Sequence, residues 1–180
     1  MLRISKGILT LAITMSIVVA VVNAAPQRTA GNDRFTERIR KELVKLPYYG
    51  VFDNLAFELN GDTVVLYGQV VRAVTRRDAE RQIRKIEGVE RVINKIEVLP
   101  ASPADDSIRR RVYRAVFRTG GLYRYSLGAN PSIHIIVNRG HVTLEGVVAT
   151  RADSQLAYMG ANSVSGVFSV TNNLKIERES

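Results

Sequence analysis

The sequence predicts an α+β fold of two tandem αββαβ modules, each a three-stranded mixed sheet packed with two helices. Three observations predict it. An internal repeat holds one register over most of the chain, apolar residues alternate on either side of tight-turn residues, and apolar residues at helical spacing bracket those runs.

The repeat fixes the organisation. Val64-Val65-Leu66-Tyr67-Gly68-Gln69-Val70 returns as Val142-Thr143-Leu144-Glu145-Gly146-Val147-Val148, a shift of 78 residues. The same shift carries Leu55, Phe57 and Leu59 onto Ile133, Ile135 and Val137, Gly88-Val89 onto Gly166-Val167, and Asn94 onto Asn172. Earlier in each copy the shift is 73, pairing Phe35, Ile39 and Leu43 with Ile108, Val112 and Val116. Copy two therefore carries 5 extra residues between its first helix and first strand. Pro100-Ala101-Ser102-Pro103-Ala104 has the composition of a semi-rigid linker, so the domains are expected at 33–99 and 105–178 with the linker at 100–104.

Each element follows in order. Phe35, Ile39, Leu43 and Leu46 define an amphipathic first helix with Asp33 placed to cap it, and Asp106 or Ser107 takes that place in copy two. Leu55-Phe57-Leu59 and Val64-Leu66-Gly68-Val70 alternate about Asn60-Gly61, the signature of a hairpin. Ala79, Ile83 and Ile86, matched by Ala157, Ala161 and Val164, mark a second helix closed by Gly88 or Gly166 at a C-cap. A last strand, Val92 to Val98 or Val170 to Ile176, completes the unit. A right-handed β–α–β crossover puts the helices on one sheet face.

The first residues read as an export leader. Arg3 and Lys6 precede an apolar stretch from Ile8 to Val22, and Val22-Asn23-Ala24 is a small-residue cleavage site, so 1–24 is expected to be a signal peptide. No Cys is present, which excludes a lipid-anchored Cys, a disulfide framework and thiol chemistry. A periplasmic or secreted protein, peripheral to a membrane and not a lipoprotein, is the expectation. The formal charge is +9, and +7 without Arg3 and Lys6. In an exported protein that excess points to anionic head groups or acidic envelope polymers rather than nucleic acid. A GxxG loop of the kind that clamps RNA is absent as well.

The pattern V-x-L-x-G-x-V, a helix, then G-V-x-x-V-x-N-x-[LI]-x-[VI] occurs in both copies and resembles the BON domain. A leader followed by two such domains is similar to the osmotically inducible periplasmic proteins and the double-BON envelope lipoproteins. The resemblance implies an αββαβ fold, an envelope location, binding to anionic phospholipid, and no catalysis. It carries no cofactor.

Within the motif, Gly68 and Gly146 are read as places where backbone approaches closely. Asn94 and Asn172 fall in phase with core positions and are expected to hydrogen-bond a neighbouring loop. The candidate lipid contact is in copy two. With Ile108, Val112 and Val116 inward, Arg109, Arg110, Arg111, Arg114 and Arg118 occupy the remaining helix faces, and no acid lies between Ile108 and Leu144. Tyr123, Arg124 and Tyr125 in the longer loop add aromatics beside arginine, a composition that settles at lipid interfaces. Composition fits a solvated face equally well, and the resemblance favours the lipid reading.

Two further expectations concern partners and chemistry. Ala152, Leu156 and Met159 form a second apolar stripe on helix two of copy two, a surface for docking on copy one, on another envelope protein or on a second copy of the chain. His134 and His141 have no third ligand at metal-site spacing, and no nucleophile elbow, phosphate loop or dinucleotide turn occurs. The expected function is therefore non-enzymatic: peripheral binding to anionic phospholipid in support of envelope integrity or stress tolerance. The alternative is a protein–protein or cell-wall interaction module acting in envelope assembly.

Overall fold

A computed structural model describes residues 30–128 and 130–177, so the leader expected at 1–24 lies outside the described residues. In the first half, α1 (Ala30–Val44) leads to the hairpin β1 (Asn54–Asn60) and β2 (Thr63–Val70), then α2 (Ala73–Ile83), β3 (Arg91–Asn94) and β4 (Glu97–Val98). Asn60 pairs with Thr63, leaving Gly61 and Asp62 as the two-residue turn. β1 is antiparallel to β2, while β3 and β4 both run parallel to β2, so the sheet is mixed. Ile39 and Leu43 of α1, Ala79 and Ile83 of α2, and Val64, Leu66 and Val70 of β2 share one buried core.

The second half repeats this order. It runs α3 (Pro103–Arg118), a 3₁₀ turn (Leu122–Ser126), β5 (Ile133–Asn138), β6 (His141–Val148), α4 (Arg151–Asn162), β7 (Ser169–Asn172) and β8 (Lys175–Ile176). Its own core gathers Ile108, Val112, Val116, Ile133, Ile135, Leu144, Ala157 and Ala161. The five extra residues of copy two become the 3₁₀ turn, whose Leu122 is fully buried.

Local chemistry moves several boundaries from where periodicity placed them. α1 is already helical at Ala30, so Asp33 lies inside the helix rather than capping it. The cap of α3 is Ser102, whose hydroxyl accepts from the Asp105 N–H at 3.2 Å with Pro103 next in line, so most of the expected linker is already helix or cap. α2 ends at Ile83 in further tight turns (Ile86 N–H to Ile83 O, Val89 N–H to Ile86 O), so Gly88, at φ +93°, serves those turns and not the helix cap. The last strand of each copy is broken in two. The side-chain oxygen of Asn94 accepts the Ile96 N–H at 3.1 Å, and that of Asn172 accepts the Leu174 N–H at 3.2 Å, each interrupting the ladder for two residues.

Gly68 and Gly146 explain why both hairpins carry glycine at the same point. Their φ values are +116° and +119°, and a Cβ there would sit 2.0 Å from the carbonyl oxygen of Asn54 or Ser132. Only glycine lets β2 and β6 cross the start of the preceding strand at that distance.

The two halves meet through the loop joining α1 to β1. The Ile135 N–H on the outer edge of β5 donates to Val51 O at 2.7 Å. Val51 and Phe52 pack on the second core, with the Phe52 and Tyr113 rings 6.2 Å apart. On the face of β5 that alternation turns to solvent, His134 and Ile136 are instead buried. For His134 the cause is this loop: its Nδ1 lies 3.2 Å from Gly50 O, and its Nε2 lies 3.4 Å from the Tyr49 hydroxyl.

Candidate anion-binding surface

The outer face of α3 carries a stripe of charge with no carboxylate partner among the described residues. Arg110, Arg111, Arg114 and Arg118 fall at i, i+1, i+4 and i+8, one stripe along the helix, and all four are exposed. Among the described residues no carboxylate lies within 4.0 Å of any of them, whereas the cations on α1 and α2 and at their C-terminal ends are partly paired: Arg40 with Glu37, Lys45 with Glu42, Arg81 with Asp78 and Arg84 with Glu80. The stripe points outward because Ile108, Val112 and Val116 hold the opposite face against β5 and α4.

Arg109 does not belong to that surface. It is 3% exposed, its guanidinium donates to Val137 O at 2.6 Å and to Asp106 at 2.5 Å, and its Nε has no partner. Spacing alone could not separate it from Arg110, because the helix faces β5 over an arc wide enough to take position 109 as well. Nearby, Asp105 is also buried and its carboxylate accepts the Arg139 and Gly140 N–H groups at 2.9 Å each, fastening the β5–β6 turn to the start of α3. Sequence reasoning missed Asp105; its one signal was an acid in a helical first turn.

Tyr125 is likewise structural. It is 9% exposed, and its hydroxyl donates to Asp153 at 2.9 Å while accepting the Ala149 N–H at 2.8 Å. Asp153 closes a capping box with Thr150 at the start of α4. Burial works to raise its pKa, but the hydrogen bonds from Thr150, Tyr125 and Arg124 outweigh burial and hold the carboxyl below its ordinary value. Arg124 is exposed but committed, donating to Asp153 at 2.7 Å. Tyr123 is free, 62% exposed, with Leu127 beside it at 64%.

α4 lies alongside α3, its Gly160 placed against the backbone of Ala115 and Val116. The expected docking stripe of α4 is not used between the halves. Leu156 packs into its own core over Gly120, because the extra loop of copy two brings that glycine beneath it. Ala152 and Met159 remain exposed, Met159 at 55%. The helical layer of the second half thus presents four guanidinium groups together with exposed Tyr123, Leu127, Tyr158 and Met159.

The motif residues hold the fold. Asn94 donates to Arg76 O and to Glu80 at 3.0 Å each, and Asn172 donates to Ser154 O at 3.1 Å, so each amide ties the last strand to the second helix. These asparagines are not core residues, since Asn172 is exposed and Asn94 half-buried. Their bonds go to a helix rather than to a loop. Gly166, at φ +86°, repeats the turn of Gly88.

The perturbed titratable groups outside this surface cluster at the joint. Burial lowers the His134 pKa, raises that of Asp53 and pushes the Tyr49 hydroxyl up to about 12. Asp53 spends its carboxylate on the Gly50 and Val71 N–H groups at 3.1 and 2.7 Å. Among the described residues no group of three His, Asp or Glu side chains is placed to hold a metal ion, and no helix is long and apolar enough to cross a membrane.

Comparison with known proteins agrees with this construction. The family model of the BON domain matches residues 32–100 and again 104–178. No curated protein matches the chain. Among solved structures, one from structural studies of CdsD, a structural protein of the type III secretion system of Chlamydia trachomatis, is 9% identical, with 80% of this chain and 92% of that chain covered at a TM-score of 0.32. A structure of the C-terminal domain of the same protein is 10% identical, covering 79% of this chain and 96% of that chain at a TM-score of 0.28. At those scores neither likeness carries an argument. BON domains are non-catalytic binding modules associated with membranes and the periplasm. Two full matches, one over each core, make the chain a member of the BON-domain family.

Proposed function

We propose that this chain is an exported protein, with its leader at 1–24 and modules at 33–99 and 105–178, that binds anionic phospholipid surfaces peripherally and supports envelope integrity or stress tolerance. The observation that carries the reading is the unpaired stripe of Arg110, Arg111, Arg114 and Arg118, followed in the chain by exposed Tyr123 and Leu127. Each cation near an anionic leaflet contributes about 1 kcal/mol, so four hold a folded domain loosely and reversibly without an acyl anchor. Tyr123 and Leu127 add apolar area at the head-group level.

The test is flotation with zwitterionic and anionic vesicles at low and high salt. Wild type floats with anionic vesicles only, and high salt releases it. Replacing the four arginines by Gln abolishes flotation, while replacing Arg77, Arg81, Arg84 and Lys85 on and just after α2 by Gln leaves it. Equal flotation of both variants contradicts the assignment of the site, and no flotation of wild type favours an interaction with protein or cell wall.

A further inference from the structure

The joint between the modules contains a buried histidine whose surroundings come from both halves of the chain. We propose that this joint is an acid-released latch, with His134 the group whose protonation frees the second module from the first.

The geometry supplies the argument. Gly50 O accepts only, so the His134 ring presents Nδ1–H to it at 3.2 Å and leaves Nε2 to accept from the Tyr49 hydroxyl at 3.4 Å. A neutral ring satisfies both contacts, and with a proton added the Tyr49 hydroxyl has to turn and accept instead. The Tyr49 ring also lies against the imidazole, 5.4 Å between centroids. Gaining a proton turns Nε2 into a donor facing the hydroxyl that had been donating to it, in a place with 9% exposure.

The charged groups facing the ring come from every packed element. Asp53, on the docking loop, and Glu145, opposite His134 on β6, both favour the imidazolium. Arg72 faces Asp53 and opposes part of that influence. Asp53 is tied to the Gly50 and Val71 amides, so its charge is already compensated. Burial therefore prevails and the docked ring resists protonation.

The sign of the pH effect follows. Docked His134 has a lowered pKa, whereas a released His134 returns toward 6.5. Docking is at full strength above that value and weakens as pH falls through it toward the docked value. Asp53 acts in the opposite sense, since its raised pKa makes the buried state the better proton acceptor. Asp53 is retained in His134→Gln, so the difference between that variant and wild type isolates the histidine's share.

The experiment uses the full chain with spin labels on the exposed positions 85 and 155, introduced as Lys85→Cys and Gln155→Cys. Inter-label distances are measured at pH 7.5 and 5.0. The latch gives one narrow distribution at the higher pH and an additional broad, longer population at the lower. His134→Gln, which cannot take up a proton, gives the same distribution at both. In parallel, NMR of the labelled His134 ring in the unsubstituted protein reports a titration midpoint below 6.5, with no variant needed. An acid-insensitive wild-type distribution overturns the proposal. So does acid broadening that persists in His134→Gln, or a His134 midpoint at or above the ordinary value.

Discussion

The Ile135 N–H donates to Val51 O at 2.7 Å, so a loop of the first module occupies the outer edge of a strand in the second. An exposed edge strand is a template for unwanted pairing, and this bond blunts it. Phe52, next in the chain, closes over Tyr113 beside it. Phe52→Ala is expected to destabilise the second module by about 2–3 kcal/mol and to speed hydrogen exchange at the Ile135 amide. Exchange mass spectrometry at residue resolution checks both.

Arg109 and its neighbours on α3 separate burial from charge. Arg109→Ala leaves Asp106 and Val137 O without a partner and is expected to cost about 2–3 kcal/mol in urea unfolding. Arg114→Gln, on the exposed stripe, is expected to change stability by no more than about 0.5 kcal/mol. Vesicle binding per folded molecule moves the other way, weakening for the Arg114 variant and holding for the Arg109 variant.

Alanine at Gly68 or Gly146 is expected to be the most damaging single change in either hairpin. The new Cβ meets a carbonyl oxygen at 2.0 Å on a backbone at φ +116° or +119°. The expected loss is about 3 kcal/mol or more, enough to threaten folding of a small module. Thermal melting of each variant against wild type measures it.

Acid should erode the second module through Asp153. Its folded pKa is lowered, so its stabilising contribution is present above the ordinary value of 3.8 and is lost as pH falls through the folded value. Asp153→Asn keeps the shape, loses this dependence, and is expected to flatten the stability–pH curve in that range. Unfolding in urea at stepped pH between about 5 and 2 follows it.

The first module offers a stabilising change. Thr75 is 1% exposed and its hydroxyl has no hydrogen-bond partner. Thr75→Val removes a desolvated polar group at nearly constant shape and is expected to raise stability by up to about 1 kcal/mol. A shift of the urea midpoint to higher concentration is the readout.

Most of the architecture was legible because the chain states it twice. The shift of 78 aligns inward-facing aliphatic residues together with the glycines and asparagines that shape the turns and strand breaks, and both signals survive in sequence. Gly68 and Gly146 were legible for the same reason. Helix starts were less so, since Ser102 with Pro103 outcompetes Asp106 and Ser107 as a cap by letting α3 begin a turn earlier.

The site was legible only in part. Helical spacing found Arg110, Arg111, Arg114 and Arg118, but it could not see that Arg109 reaches the end of β5 or that Tyr125 spans to Asp153. Both contacts bridge about 28 residues of chain, beyond any local period. His134 was out of reach for a deeper reason. Alternation within β5 says outward, and only the arrival of Tyr49 and Gly50 from the other module makes that face an interior.

The most direct test of the account is to map backbone amide protection on the full chain with and without anionic vesicles. The account predicts new protection concentrated in α3 and the 3₁₀ turn from Arg110 to Leu127, with α1 and α2 unchanged. Protection confined to the first module, or none at all under conditions where the protein floats with vesicles, would contradict it.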